Sequence, residues 1–376
     1  MTVDGGRLPP PVVRPPGNRR ALPWVLGSLA LLLALLLGLG SLLLIGLATG
    51  ATGLAIGLVA ALLPLPLYAG VVLWVDRYEA EPAWMLAASL LWGATVAVFV
   101  ALVVNSVVTF LAGPLVATVV SAPVVEESAK GLALLILFAW RPDEFDGVLD
   151  SVVYAGMIAL GFATVENVLF YGQAAAGGEV PLAAVVVLRG VISPLSHPLF
   201  TAMTGIGLGL ARQSDHSAVK ILAPPLGLLC AIGLHAAWNL SAGLFGVVGF
   251  ALTYLFVMVP ALAAAVVAVA LALAREGRIL RRHLADEVGR GLLSADEYER
   301  LASVRARLAD SWWALRRGGW RAWRARADYH QAASELAFHR HRVARGLVTD
   351  PHAGAVDAAY LQWLQRLADR RRAAAG

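Results

Sequence analysis

Residues 115–140, LVATVVSAPVVEESAKGLALLILFAW, decide what kind of protein this is. As a helix rising about 1.5 Å per residue, a run of this length crosses a hydrocarbon core of about 30 Å. Yet Glu126, Glu127 and Lys130 fall within five positions of its middle. On insertion scales each such charge costs roughly 2.5–3.5 kcal/mol, so three unpaired ones cost on the order of 8–10 kcal/mol. Part of the offset is local, because Lys130 lies one turn from both carboxylates, at i,i+4 from Glu126 and i,i+3 from Glu127. A single Glu–Lys pair would suffice as a staple between helices. Two consecutive carboxylates, able to share a proton in a low dielectric beside a lysine, resemble the acid/base poise of a hydrolase.

The rest of the chain places that run in a membrane. Of 376 residues, 59% are hydrophobic and 15% charged, and the mean hydropathy is +0.72, far above what a soluble domain tolerates. Apolar runs near 22–47, 52–75, 84–112, 114–140, 147–171, 181–211, 218–243 and 246–274 predict an all-α polytopic transmembrane bundle of about eight spans. Most of the basic residues behind the net charge of +5 lie before Ala21 and after Ala274. This divides the chain into a basic Pro-rich leader (1–21), a transmembrane domain (22–274) and a basic Trp-rich helical tail (275–376). The prolines of RLPPPVVRPPGNRR deny the leader a regular helix. The run that follows is too long for a signal-peptide core and is expected to be a retained span. Arginine and lysine in alternate connections place both termini in the cytoplasm of a multi-pass cell-membrane protein. Cys230 is the only cysteine, which excludes an intrachain disulfide and a cysteine metal site.

In the tail, Ser294-Ala295-Asp296-Glu297 is a capping box. Trp312, Trp313, Trp320 and Trp323 alternate with Arg316, Arg317, Arg321, Arg324 and Arg326. Two arrangements suit this pattern: an amphipathic surface on anionic lipid, or a small bundle with its tryptophans inward, docking a cytoplasmic protein. No recognised nucleic-acid motif accompanies the charge, so nucleic acid is not an expected partner.

Other spans carry further polar residues. Glu166 and Asn167 lie in the fifth; His197 lies in the sixth between Pro194 and Pro198, which must break the helix; His235 and Asn239 lie one turn apart in the seventh. Singly, each suits an interhelical hydrogen bond. Together with Glu126, Glu127 and Lys130 they could line one polar cavity. Arg189 is expected to snorkel to the interface, with binding of the substrate backbone or of a carboxylate as the lesser alternative. Asp146 and Asp150 suit the start of a helix, and the turn DRYEAEP (76–82) reads as an ordinary polar loop.

EESAK (126–130), FATVE (162–166), HPLFTA (197–202) and HAAWN (235–239), in this order on separate spans, resemble the EExxK, FxxxE, His and HxxxN motifs of the PrsW-type intramembrane proteases. That family is distantly similar to CAAX prenyl endopeptidases and bacteriocin-processing membrane proteins. The resemblance covers about residues 67–243. It implies a membrane-embedded endopeptidase acting on membrane-associated proteins such as anti-sigma factors. Carried over residue by residue, it implies Glu126 as general base on water, Glu127 sharing or orienting its proton, Lys130 keeping the base ionised, and His235 and Asn239 as oxyanion donors. Glu166 stands where CAAX relatives carry histidine. His197, His235 and either Glu166 or a glutamate of the 126–127 pair are candidate zinc ligands, although no HExxH is present and a metal-free glutamate mechanism fits the residues at least as well. Two other classes stay open: a proton-coupled transporter, for which no inverted repeat is evident, and a non-catalytic membrane scaffold acting through its tail.

Overall fold

The computed structural model describes residues 21–75, 78, 80–244, 246–346 and 353–373; the leader, 1–20, lies outside them. Every regular element among the described residues is a helix, with no strand. In chain order the helices are α1 (Ala21–Leu62), α2 (Leu65–Val75), α3 (Ala83–Ala112), α4 (114–140), α5 (Val148–Ala175), α6 (182–192), α7 (Ser196–Gln213), α8 (Ser217–Leu244), α9 (246–289), α10 (Ala295–Leu301), α11 (Val304–Ala344) and α12 (Ala353–Ala373). Wide single turns at Gly93–Ala97, Ala117–Ser121, Leu188–Ile192 and Tyr254–Met258 interrupt α3, α4, α6 and α9.

Six stretches among the described residues are long and apolar enough to cross a membrane, against about eight expected. Two features account for the difference. Residues 27–75 form one apolar stretch, but Gly50 sits at φ 72°, ψ 169°, outside helical space. A Cβ on Gly46 would lie 3.3 Å from Leu54, eight residues on, which a straight helix would hold about 12 Å away. The chain therefore reverses at Gly50, and two runs arise from one stretch. The other feature is α4, which has the required length but carries three charges.

The chain divides into two compact units, 20–76 with 81–269, and 270–376 with 77–80. In the first, α5 is the central element: 83% of its most apolar window is buried, against 11–22% for the other five stretches. Backbones touch around it. A Cβ on Gly93 would lie 1.8 Å from the Ile158 carbonyl oxygen, and one on Gly161 would lie 2.0 Å from that of Leu90, so only glycine fits at this crossing of α3 and α5. Small residues at such crossings let dispersion contacts hold helices together where lipid removes the hydrophobic drive.

The second unit has its own core of Tyr78, Leu280, Leu284, Tyr329, Leu336, Phe338, Trp363 and Leu364. Tyr78, from the loop read as ordinary, is 1% exposed and donates its hydroxyl to the Ala302 carbonyl at 3.0 Å. Arg340 joins Glu287 (2.9 Å) to Asp357 (2.7 Å), fixing α9, α11 and α12 together. Trp312, Trp313 and Trp320 are 58%, 50% and 58% exposed, so the tryptophan-inward bundle is not what forms.

Burial holds the His330 imidazole down at about 4, although Asp310 at 3.1 Å opposes the shift. It does the same to His341, reinforced by Arg275. Between an ordinary value near 6.5 and about 4, the unfolded chain binds protons that the folded unit refuses. Stability is thus full above this window and falls as the pH drops through it. Proteolysis of the tail, normalised to an unfolded peptide, should be faster at pH 5 than at pH 7.5; equal rates would contradict this. In the first unit, Gly161→Leu should destabilise by about 1–3 kcal/mol through overpacking, whereas Gly70→Ala, with nothing within 4 Å of the new methyl, should leave the melting temperature in detergent unchanged.

Candidate active site

The polar residues of α4, α5, α7 and α8 converge. Glu126, Glu127 and Lys130 are 4%, 0% and 0% exposed, and His197 and His235 are equally buried. Glu127 is the saturated member. Its Oε1 lies 2.7 Å from the Lys130 ammonium and 3.1 Å from His235 Nδ1, and its Oε2 accepts from the Thr201 hydroxyl at 2.9 Å. Three donors from three helices suit an ionised carboxylate. The Lys130 ammonium also lies 4.0 Å over the Phe162 ring, so the aromatic of FATVE packs beneath the motif lysine.

Glu126 is different. Its Oε2 is buried with no hydrogen-bond partner; Lys130 Nζ and His235 Nε2 each stand 3.8 Å away. Its other oxygen is 3.4 Å from the Asn105 amide, which in turn accepts from Ser121 at 2.8 Å. Lys130 thus reaches both carboxylates, as the helical spacing allows, but Glu127 is its close partner and Glu126 the more open one. A buried, unsatisfied carboxylate oxygen costs roughly 1–3 kcal/mol or more, which points to a ligand or water at that atom.

His197 stands in the first turn of α7, because the chain leaves helix at Ser193–Leu195 and resumes at Ser196. The prolines thus end one helix and begin another. His197 Nε2 is 2.9 Å from Glu166, and Nδ1 is 3.2 Å from Lys130. Arg189 joins this group. It pairs with Glu166, donates to Asn167 at 2.6 Å and stacks over Phe170 at 4.0 Å. Asn239 is turned elsewhere, its amide donating to the Thr118 carbonyl at 2.9 Å, so α8 brings His235 but not Asn239 into the cluster.

Tautomers follow from the partners. His235 Nδ1 faces the Glu127 carboxylate and carries the proton, leaving a lone pair on Nε2 toward Glu126. That nitrogen suits a metal or a proton better than an oxyanion. One ligand atom each from Glu126, His197 and His235 lie within 4.8 Å of one another, so of the two carboxylate options for a candidate metal set it is a glutamate of the pair, Glu126, that stands with the histidines. The donor chemistry fits: three N/O ligands with an open position, and carboxylates behind both imidazoles. Beside the cluster, a cavity of about 250 Å³ is lined by Ile192, Pro194, Leu199, Trp238, Tyr254 and Met258, among others. Thr201, Asn105 and Arg189 were not assigned site roles from sequence. Thr201 had a signal, one turn after His197 in HPLFTA; Asn105, an isolated amide in an apolar run, had little.

The model of the family described as PrsW family intramembrane metalloprotease matches residues 81–265, a range holding every residue of the cluster. Protease PrsW of Bacillus subtilis is 32% identical over 168 residues, 44% of this chain and 72% of that protein. The chain belongs to the PrsW family. Protease PrsW of Geobacillus kaustophilus is 33% identical over 140 residues, 36% of this chain, and that of Clostridioides difficile 30% over 149, 38% of this chain. These matches span 58% and 60% of the two relatives' lengths. No solved structure matches. Kinship with CAAX prenyl endopeptidases rests on motif resemblance alone. Family membership and six apolar helices make this a multi-pass membrane protein.

Breaking the buried pair tests the saturated carboxylate. Lys130→Met should destabilise by about 3–5 kcal/mol by leaving Glu127 uncompensated. Adding Glu127→Gln should recover part of the loss, read as melting temperature in detergent. A double variant no more stable than the single would show that the two residues are uncoupled.

Proposed function

We propose that this chain is an intramembrane endopeptidase that hydrolyses peptide bonds of membrane-associated proteins, anti-sigma factors among the candidate classes. The observation that carries this is the buried, unpartnered Glu126 Oε2 beside His197 and His235. The comparisons favour neither a transporter nor a scaffold.

Glu126, His197 and His235 would hold a divalent metal such as zinc, which when bound supplies Lewis acidity and an acidified water. The chain's own residues do the rest. Glu127 fixes the His235 ring and holds the proton on Nδ1. Glu166, itself held by Arg189, does the same for His197 at Nε2. The ammonium of Lys130 has three donors; Glu127 and His197 take two, leaving one for Glu126 or for negative charge on a reacting carbonyl oxygen. Ligation by His197 Nδ1 requires Lys130 to yield that contact. The apolar cavity flanking His197 suits a substrate side chain.

One observation supports a metal-free second reading: the Lys130 ammonium already stands among the donors, 3.2 Å from His197 and 3.8 Å from Glu126. Glu126 then takes a proton from water as it attacks the scissile carbonyl, and returns it to the leaving amine. Positive residues in alternate connections support both termini in the cytoplasm.

Glu126→Gln should abolish cleavage of a membrane-anchored substrate under either mechanism, while expression and melting temperature persist; a variant cutting at the wild-type rate would remove Glu126 from the chemistry. Elemental analysis of active purified protein decides between the two. About one zinc per chain, with activity lost in chelator, establishes the metal; activity with no bound metal establishes the glutamate base.

A further inference from the structure

The long helix α11 is not straight. Gly319 sits at φ 64°, ψ −161°, and residues on either side of it meet. Asp310 pairs with Arg326 at 2.8 Å and with His330 at 3.1 Å, and Arg307 reaches Ser334 at 2.9 Å. A continuous helix would hold Asp310 and Arg326 about 24 Å apart. The segment is therefore a helical hairpin with its tip near Gly319.

The direction of the hairpin can be read within its own unit. Arg340 donates to the His283 carbonyl at 2.8 Å, and the His341 ring is 5.4 Å from that of His283. Lower on α9, a Cβ on Gly277 would lie 2.6 Å from the Ala302 carbonyl oxygen, which accepts from Tyr78, and Tyr78 lies under Arg307, the partner of Ser334. Descending from Arg340 to Ser334 on α11 thus matches descending from His283 to Gly277 on α9. Below that level the two arms continue for 11 and 15 residues, from Arg307 to Gly318 and from Ser334 to Gly319, or about 17–23 Å. They run toward the end of α9 at which the apolar stretch, Val248 onward, enters this unit.

The tip carries what an anionic lipid surface recognises. Trp312, Trp313 and Trp320 are each at least 50% exposed, and Trp320 stacks on Trp323 at 4.5 Å. Arg316, Arg317 and Arg324 lie over Trp312, Trp313 and Trp320 at 4.8–5.4 Å. Between Asp310 and Asp328 there are five arginines and no carboxylate. Indoles settle at the headgroup level, guanidinium groups pair with lipid phosphates, and their stems cover apolar surface. Tethering to a membrane-spanning segment raises the effective concentration of that surface.

We propose that the hairpin tip, 312–324, is a wedge that inserts into the interface of the anionic membrane leaflet. It braces the tail unit on the bilayer independently of the peptidase chemistry.

The test uses the full chain carrying Cys230→Ser in nanodiscs, with a fluorophore on Ala325→Cys near the tip or on Ala355→Cys as control. Ala355 is exposed and near Asp357, which binds Arg340 at the far end of the hairpin. In discs containing phosphatidylglycerol, lipid-borne nitroxide should quench the probe at 325 and spare the one at 355. Phosphatidylcholine alone, or replacing Arg316, Arg317, Arg321 and Arg324 by Gln, should shift the tip toward the free state, by roughly fivefold for each charge removed. Trp312, Trp313 and Trp320 changed to Ser should also release it, with tail proteolysis unchanged as a check of folding. A probe at 325 that stays unquenched in phosphatidylglycerol overturns the proposal and leaves the face to a protein partner. Quenching indifferent to lipid charge and to the arginines overturns the anionic recognition.

Discussion

An ammonium ion with no exposure to solvent, inside helices that read as lipid-soluble, is the constraint from which the rest of the first unit follows. Lys130 cannot remain charged there without a carboxylate in contact, and Glu127, one turn back, supplies it at 2.7 Å. A pair on one helix would still leave lone pairs unmet in a low dielectric. The remaining demand on Glu127 is met by Thr201 from α7 and His235 from α8. Electrostatic need thereby becomes a tertiary restraint, fixing three helices in rotation and register where lipid provides no hydrophobic reason for one face over another.

With Glu127 saturated, the two adjacent glutamates cease to be equivalent. Consecutive residues on a helix point about 100° apart, so one carboxylate can face the packed interior while the other faces a different set of neighbours. Glu126 takes the second position and is left with an oxygen that accepts no hydrogen bond from the described residues. The same separation of roles appears around His197, where Glu166 and Arg189 satisfy one another and leave the imidazole oriented. Polar groups that complete their partners hold the site in shape, and the incomplete one marks where a ligand or water acts.

The transmembrane segments were legible because twenty-odd apolar residues have few other uses, and the converging motifs were legible because polar residues in such runs are costly. Other features were hidden for physical reasons. The reversal at Gly50 is not among them, because it falls in the gap between the runs read at 22–47 and 52–75, where ATGATG (48–53) interrupts the leucines. Helical spacing allowed Lys130 to reach either glutamate, and the choice depended on Thr201 and His235, far away in sequence. For Arg189, position in a span could not show that Glu166 and Asn167 on α5 would be its partners. Asn239 lies one turn from His235, yet the Thr118 carbonyl at the wide turn of α4 claims its amide. In the tail, composition could not separate inward from outward tryptophans, because that depends on the break at Gly319.

Irregular backbone gathers around this site for a reason that also bears on chemistry. A regular membrane helix spends every internal amide and carbonyl on itself, so a peptide substrate finds no main-chain partner along it. The chain here leaves helix at Ser193–Leu195, directly before His197, and has a wide turn at Ala117–Ser121, directly before the glutamate pair. The Tyr254 hydroxyl, donating to the Ile192 carbonyl at 3.2 Å, comes from a third such turn. Polar backbone released at mid-membrane is tolerable only where protein or a cavity meets it, and the 250 Å³ cavity beside His197 is such a place. The prolines and wide turns that weaken these helices locally therefore open main-chain hydrogen-bonding capacity on the elements that carry Glu126 and His197.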